Sequence, residues 1–364
     1  DNQEKASITN ENNSEVNVNE NNENKKENTT DITTQNHNNK PDSEPTPATS
    51  ESTLEPIIET TETEQQEINS SIRSMSLSDD LQNAWAISRG DGITIAVIDT
   101  GIDIAHPDLI DHMINGWDFY NDKSEVYNPD LGMDQAHGTH VAGIIANAAP
   151  EAKIMPLKVF ENGEASTSDI IKAIEYAKNN GAQIVNCSFG STDNNQALKE
   201  AMKKSGLFFV CAAGNSRTNI DETPVYPAAF GLDNTISVAA LNQDLGMSYF
   251  SNYGTENVDI ATMGRNVESC FPNGQYGIMN GTSMSAAYVS AASALILSID
   301  YQKNLKETLK NTADKLSCLD GKVDNANKVS FYGAVSGEVN NEILQVTPED
   351  DFNVNGYKRT IKED

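Results

Sequence analysis

The sequence has few basic residues and no long apolar segment. Of its 364 residues, 25 are Lys or Arg and 54 are Asp or Glu, which gives a formal charge of −29 at pH 7. This charge repels phosphate groups, so we expect no nucleic-acid partner. The chain contains no run of about 18 or more apolar residues, the length that a spanning helix needs, and therefore predicts no membrane span.

Cysteine is also scarce. The four cysteines are Cys187, Cys211, Cys270 and Cys318, and no Cys-x-x-Cys pair is present, which argues against a structural zinc site. Cys187 and Cys211 follow strand-like apolar runs, so we interpret both as buried free thiols. Four cysteines can pair completely in three ways, and the sequence alone does not choose among these disulfide pairings.

The composition divides the chain into three regions. Residues 1–75 are rich in Asn, Glu and Thr and poor in apolar residues, so we expect a disordered, acidic tail or linker. Residues 76–335 are predicted to form the folded domain, and residues 336–364 a polar C-terminal extension. Because the sequence begins at Asp1 and not at Met, we expect that any signal peptide has been removed, and we predict a secreted or cell-surface protein.

Strand-like and helix-like segments alternate in the folded region. Apolar runs over 92–99, 153–160, 182–190 and 207–215 predict buried parallel strands. Segments with helical spacing predict helices over 137–149, 167–182, 195–206 and 304–316. The alternation predicts an α/β fold of three layers, doubly wound, with a mainly parallel central sheet. Functional side chains are expected at the carboxyl ends of its strands.

The stretch NGTSMSAAYVSAASALIL, residues 280–297, predicts a tight turn followed by a buried helix. Ser283 lies near the start of that helix, beside unpaired N–H groups and the positive end of the helix dipole. This position suits a nucleophile that generates an oxyanion. It also suits an ordinary N-cap serine, which is the interpretation that this stretch alone favours.

A nucleophilic serine needs a base, and the base needs an orienting acid. In HGTHVAG, His137 lies at the turn and is the candidate base, whereas we interpret His140 as a structural histidine. The His-Glu-x-x-His spacing of zinc peptidases is absent, so no metal is expected there. Asp99 ends a buried strand and is either the orienting acid or a cap of the next turn. Asn215 is either an oxyanion donor or a turn residue.

Five motifs occur in one order: IAVIDTGID, HGTHVAG, NCSFG, AAGN and NGTSMSAA. Together they resemble the subtilisin-like serine proteases, or subtilases, over residues 80–335. The chain order Asp, His, Ser also fits that family. The resemblance implies a subtilisin-like fold and an acyl-enzyme mechanism. In it, Asp99 orients His137, His137 activates Ser283, and Asn215 binds the oxyanion.

The resemblance also implies substrate-binding segments. Backbone pairing with an extended peptide is expected for Ser188, Phe189 and Gly190 on one side and for Gly163, Glu164 and Ala165 on the other. The pocket for the residue before the cleaved bond is expected to be lined by Ala212, Ala213 and Gly214, and bordered by Ser216, Val225 and a cis Tyr226–Pro227 bond. We expect a pocket of moderate size that is mostly neutral, with a weak acidic contribution from Asp221 and Glu222.

Three features depart from the family pattern. Ala287 stands where the family usually has proline, and we expect this difference to alter how an added amine competes with water for the acyl-enzyme. The segment NAAPEAKI, which begins at Asn147, is too short for the family's usual calcium loop. Calcium is therefore not expected there, although Asp108 resembles a ligand of that site. No cofactor is expected to be required for the chemistry. Residues 1–75 do not resemble a folded prodomain, so a prodomain partner is either removed or not needed.

The sequence thus predicts a secreted serine endopeptidase that acts on peptide or protein substrates. A dedicated precursor-processing enzyme is favoured over a broadly degradative one. A non-catalytic, subtilase-like binding scaffold and a peptide ligase or transpeptidase are the alternatives.

Overall fold

The computed structural model describes residues 79–340 and 342–346. The described residues belong to the same compact unit of the chain. The predicted tail over 1–75 lies outside the described residues, as does the C-terminal extension from residue 347 onward.

A ten-stranded sheet forms the centre of the fold. Its strands are β1 (Thr94–Asp99), β2 (Trp117–Asp118), β3 (Lys153–Lys158), β4 (Ile184–Cys187), β5 (Phe208–Ala212), β6 (Thr235–Leu241), β7 (Ile260–Met263), β10 (Asp314–Leu316), β11 (Asn327–Lys328) and β12 (Ile343–Leu344). The order is β12-β10-β11-β7-β6-β5-β4-β1-β3-β2. All neighbours pair in parallel except β10 and β11. Strands β8 (Val267–Phe271) and β9 (Gln275–Met279) form a separate antiparallel hairpin.

Helices cover both faces of the sheet. They are α1 (Asp79–Trp85), α2 (Ala136–Ala148), α3 (Thr167–Asn179), α4 (Gln196–Ser205), α5 (Thr282–Ile299), α6 (Leu305–Asn311) and α7 (Phe331–Ser336). Short 3₁₀ segments lie at Pro129–Gln135, Ala228–Phe230, Ser317–Leu319 and Asp324–Ala326. One apolar cluster includes the buried residues of α2 and α5, and a second includes those of α3 and α4.

The alternation of side chains along β1 explains the three layers. Ile95 and Val97 belong to the cluster with α2 and α5, whereas Ala96 and Ile98 belong to the cluster with α3 and α4. A strand with apolar residues on both faces is stable only where both faces are covered. The predicted α/β fold with a mainly parallel, doubly wound sheet is therefore confirmed.

Helix α5 is the most apolar of the described helices. Its 18 residues have a mean hydropathy of 1.4, so by length and composition alone it meets the criterion for a membrane span, contrary to the expectation from the sequence. However, 89% of the segment is buried inside the fold. The central position of α5, packed against β4, β5 and β6, accounts for this composition.

Two segments at the end of the chain differ from the prediction. Helix α6 ends at Asn311, and Asp314–Leu316 forms a strand, so the predicted single helix over 304–316 is wrong. The first part of the C-terminal extension is not a free tail, because Ile343–Leu344 pairs with β10 at the edge of the sheet. The helical spacing over 304–316 is a local signal. It did not reveal that residues 314–316 pair with β11 and β12 instead.

The four cysteines are free thiols in the structure. Cys187 and Cys211 are register partners on β4 and β5 and are buried, as predicted. Burial raises the pKa of the Cys211 thiol well above its usual value, and the neighbouring Cys187 adds to this effect. The Cys211 thiol therefore stays protonated at neutral pH and acts as a packing residue.

Candidate active site

Asp99 and His137 meet at the carboxyl edge of the sheet. Asp99 is the last residue of β1, and His137 lies in the first turn of α2. His137 Nδ1 and Asp99 Oδ1 are 2.7 Å apart, and both side chains are buried. Since a carboxylate only accepts hydrogen bonds, Nδ1 carries the hydrogen of this bond, and in the neutral ring the lone pair then lies on Nε2. Asp99 also accepts from its neighbour Thr100 N at 2.7 Å.

Gly138 allows this approach of helix and strand. A Cβ on Gly138 would lie only 2.3 Å from the carbonyl oxygen of Gly101, just after β1. The backbone N–H of Gly138 donates to Thr100 Oγ1 at 3.1 Å, which fixes the start of α2. The glycine between the two histidines of HGTH thus permits a close contact between the two backbones.

Ser283 lies in the first turn of α5 and is 3% exposed. Its hydroxyl donates to the carbonyl of Ser188 at 3.3 Å. His137 Nε2 has no hydrogen-bond partner among the described residues. The hydroxyl and the imidazole are therefore not hydrogen bonded to each other in this state, and a rotation about χ1 of Ser283 is the motion that would reorient the hydroxyl. Catalytic hydrogen bonds often tighten only when substrate binds.

A buried polar chain anchors α5 on β4. Ser290 Oγ donates to Asn186 Oδ1 at 2.9 Å, and Asn186 Nδ2 donates to Ser188 Oγ at 2.8 Å. Ser188 Oγ in turn donates to the carbonyl of Ser283 at 3.2 Å. These bonds hold the helix start, with its unpaired N–H groups, at the edge of the sheet.

Asn215 presents an amide donor next to this helix start. Its Oδ1 accepts from Thr282 N at 2.8 Å and from Thr282 Oγ1 at 3.1 Å. With the oxygen engaged by Thr282, the NH₂ group is available to an oxyanion. The residue in the left-handed conformation is Gly214, with φ of 103°, and not Asn215. The turn interpretation therefore does not account for Asn215.

Asn252, which the sequence analysis missed, holds the loop that carries Asn215. It is fully buried, and its Nδ2 donates to Ala213 O at 2.8 Å. Its Oδ1 accepts from Ser216 N at 3.0 Å and from Thr218 N at 2.9 Å. A single side chain thus fixes the backbone on both sides of Asn215. In the sequence, Asn252 stands in SNYG, a pattern that indicates only a polar turn.

The predicted pocket segments follow two neighbouring strands. Ser188–Gly190 follow β4, and Ala213 and Gly214 follow Ala212 at the end of β5. The Tyr226–Pro227 bond is cis, as predicted. The carboxylate of Asp221 accepts from the backbone N–H groups of Glu256 and Asn257, and the weak acidic contribution expected from Asp221 and Glu222 stays a prediction.

The second predicted substrate segment forms a tight turn. Glu161 and Glu164 exchange two backbone hydrogen bonds of 3.1 Å across Asn162 and Gly163, which both have positive φ. Gly163 and Glu164 are exposed, and Ala165 is buried. Since Phe160 packs on Phe189 with ring centroids 5.4 Å apart, this turn lies next to the segment after β4.

His140 is structural, as predicted. Its Nε2 donates to the carbonyls of Val267 at 2.9 Å and Gly277 at 3.2 Å, and its ring packs on Phe271. Burial lowers the pKa of His140 to about 3, despite these hydrogen bonds. The ring is therefore neutral at physiological pH.

Among the described residues, one group of metal-ligand types lies together: His106, Asp108 and Cys270, with ligand atoms within 4.8 Å of one another. Both ring nitrogens of His106 already contact the backbone, at Gln275 O and Asp108 N. A thiol and an imidazole also do not suit calcium. Four residues separate α2 from β3, as the short NAAPEAKI segment requires. The expected absence of calcium there stays a prediction.

The arrangement agrees with the comparisons to known proteins. The subtilase family model matches residues 90–334. Thermitase of Thermoactinomyces vulgaris is 35% identical over 64% of this chain and 85% of its own length. The major intracellular serine protease of Bacillus subtilis (strain 168) is 38% identical over 62% of this chain and 75% of its own length.

A solved structure of a lanthipeptide protease shares the fold, with a TM-score of 0.61 and 25% identity over 70% of this chain and 90% of its own. The family match covers well over half of the 364-residue chain. The chain therefore belongs to the subtilase family and is a serine endopeptidase.

Proposed function

We propose that Asp99, His137, Ser283 and Asn215 carry out peptide-bond hydrolysis through an acyl-enzyme. The observation that supports these roles most strongly is the 2.7 Å bond from His137 Nδ1 to Asp99, which leaves Nε2 as a base at the same edge as Ser283. In this proposal, each of the four side chains has one task.

His137 Nε2 removes the hydroxyl proton as Ser283 Oγ attacks the substrate carbonyl carbon. The oxyanion that forms accepts hydrogen bonds from Asn215 and from the backbone N–H at the start of α5. Asp99 stabilises the imidazolium. His137 then gives the proton to the leaving amine, and the acyl-enzyme remains. A water molecule, deprotonated by His137, cleaves the ester and restores Ser283.

A fluorophosphonate probe tests this assignment. We expect covalent labelling of the wild type and no labelling of Ser283→Ala. The matched control is Ser285→Ala, because Ser285 lies on the same helix turn but donates to the backbone carbonyls of Thr262 and Met263. Labelling of Ser283→Ala, or no labelling of folded wild type, would contradict the proposal and favour a non-catalytic binding scaffold.

We further propose that the enzyme processes a peptide precursor, rather than degrading proteins broadly. The structural likeness to a lanthipeptide protease supports this proposal. Cleavage of a diverse peptide library, read by mass spectrometry, should show few cut sites that share a common sequence. Many unrelated cut sites would indicate a degradative enzyme.

Two other expectations remain proposals. Ala287 is buried one turn after Ser283 on α5, where proline is expected in the family. A ligase activity predicts that an added amine diverts the acyl-enzyme, and that Ala287→Pro reduces this diversion.

Secretion is proposed from the sequence alone, and a relative named an intracellular serine protease makes fractionation of cells and medium the direct test.

A further inference from the structure

Lys158 is a buried cation at the carboxyl end of β3 and is 1% exposed. Its ammonium group lies 3.1 Å from the carboxylate of Asp118, which is buried at the end of β2. The same ammonium donates to the carboxylate of Glu161, the first residue of the turn that ends at Glu164. A buried ammonium needs anionic partners, because an unpaired charge in the interior is strongly destabilising. Lys158 therefore joins β2, β3 and the turn.

Asn121 completes the cluster around the two carboxylates. Its side-chain NH₂ group donates to Asp118 Oδ2 and to Glu161 Oε2, each at 2.9 Å. The hydrogen bond from Lys158 lowers the pKa of the Glu161 carboxyl, so Glu161 carries its charge at neutral pH. Charge-assisted hydrogen bonds of this kind are stronger than neutral ones. They hold the Glu161 side chain in place although it is partly exposed.

The tip of the turn has no comparable support. A Cβ on Gly163 would find no atom within 4 Å, so the tip projects into open space. Asn162 and Gly163 both have positive φ, with values of 54° and 78°. Glycine gives the backbone many alternative conformations, and a non-glycine residue at positive φ is strained. The order of the tip therefore depends on how firmly Glu161 is held at its base.

Lys158 is also linked to the strand that carries Asp99. The two residues are register partners on β3 and β1, and Val159 N donates to Asp99 O at 3.0 Å. The Cδ atom of Lys158 lies 3.3 Å from the position that a Cβ would take on Gly101, so its stem packs on the backbone just after Asp99. One side chain thus connects the end of β1 with the turn that is expected to bind substrate.

We propose that Lys158, acting through Glu161, is a positioning residue that holds the turn over 161–164 in the conformation that pairs with an extended substrate. The turn is then ordered before the substrate arrives, so less binding free energy is lost in ordering it. Neither side chain takes part in the chemical steps, so the effect is on substrate binding and not on turnover. This inference rests on the proposed function and deepens it, because it explains how one binding segment of the same site is held.

The test compares a peptide long enough to pair with the turn and an ester of a single N-acetylated amino acid, which is too short to do so. We expect Glu161→Ala to raise KM for the peptide by about 10-fold, the factor that corresponds to ordering about one backbone residue on binding. The kcat for the peptide and both constants for the ester should stay nearly unchanged, which is the signature of lost binding alone. A merely structural role would not separate the two substrates.

Three further variants sharpen the test. Glu161→Gln keeps an acceptor for Lys158 and should give an intermediate KM for the peptide. Lys158→Met should raise this KM at least as much as Glu161→Ala, and it should also lower the unfolding midpoint, because it leaves Asp118 as an unpaired buried charge. Glu200→Ala is the matched control. It removes the carboxylate of an exposed ion pair with Lys204 on α4 and should change neither KM nor kcat.

Active-site titration with the fluorophosphonate probe normalises each protein to its folded, reactive fraction. Asp118 still pairs with Lys158 in the Glu161 variants, so these variants decide the question even where Lys158→Met does not fold. An unchanged KM for the peptide in Glu161→Ala, or an equal loss for the peptide and the ester, overturns the inference alone. A folded wild type that the probe does not label and that cleaves neither substrate overturns the proposed function, and this inference with it.

Discussion

The carboxyl edge of the sheet and the interface between α2 and the β8–β9 hairpin each contain one histidine of the HGTH motif. At the edge, His137 has a carboxylate partner in Asp99. At the hairpin, His140 meets only the carbonyls of Val267 and Gly277 and an aromatic ring. Each ring keeps one nitrogen without a hydrogen bond to the described residues. Only His137 has an anion that stabilises the protonated form, so an available lone pair alone does not make a base.

Removal of each histidine in turn tests the difference between the two sites with the largest expected effect. His137→Ala should lower kcat by about 10⁶-fold, the scale set by an enzyme of the same family, because no other group takes the Ser283 proton. His140→Gln should instead lower the unfolding midpoint by several degrees, because loss of buried hydrogen bonds costs about 1–3 kcal/mol. Peptide hydrolysis and thermal unfolding measure the two effects. A folded His140→Gln enzyme as inactive as His137→Ala would contradict the separation.

Asn215→Ala tests whether the edge supplies an oxyanion donor. We expect kcat to fall by about 10²–10³-fold, a magnitude taken from an enzyme of this family, with little change in KM. Asn215→Asp keeps the oxygen that Thr282 requires but replaces the donating NH₂ group. Both variants should lose turnover. Full activity of Asn215→Asp would show that the amide does not donate.

Asn252→Ala tests whether turnover depends on how the loop around Asn215 is held, because Asn252 hydrogen-bonds the backbone on both sides of Asn215. Misplacement of Asn215 by about 1 Å should lower kcat by about 10- to 100-fold. The expected signature is a fall in kcat with KM nearly constant, together with unchanged fluorophosphonate labelling stoichiometry. A loss confined to thermal stability would show that Asn252 serves the fold only.

Acid should affect the hairpin region through His140. Its pKa is lowered to about 3 in the folded state, so between about pH 6.5 and pH 3 the unfolded state binds more protons. Stability is therefore fully present above the unfolded pKa and is lost as the pH falls. From pH 8 to pH 5 the free energy of unfolding should decrease by about 2 kcal/mol from this group.

Denaturant titrations of wild type and His140→Gln at several pH values measure this contribution. The variant should be less stable at pH 8 but should lose less stability between pH 8 and pH 5. Parallel curves for the two proteins would argue that other groups cause the acid sensitivity.

Much of the fold and the central site could be predicted from local sequence. The apolar run that ends at Asp99 and the helical spacing after His137 each reflect burial along one element. The helix after Ser283 begins at Thr282, within one residue of the expected start. Strand β6 and the β8–β9 hairpin were missed, and so was the strand at Asp314, because their stability comes from pairing with distant segments.

The sequence by itself determined which chemical groups are present, their order along the chain, and the elements whose ends carry them. Burial periodicity and turn chemistry act over a few residues, so those properties can be read locally. Only the tertiary structure decided that Asn252 hydrogen-bonds the backbone on both sides of Asn215 and that Val225 lies against Gly190. Those contacts join segments separated by tens of residues, and their geometry depends on how β4 and β5 lie side by side.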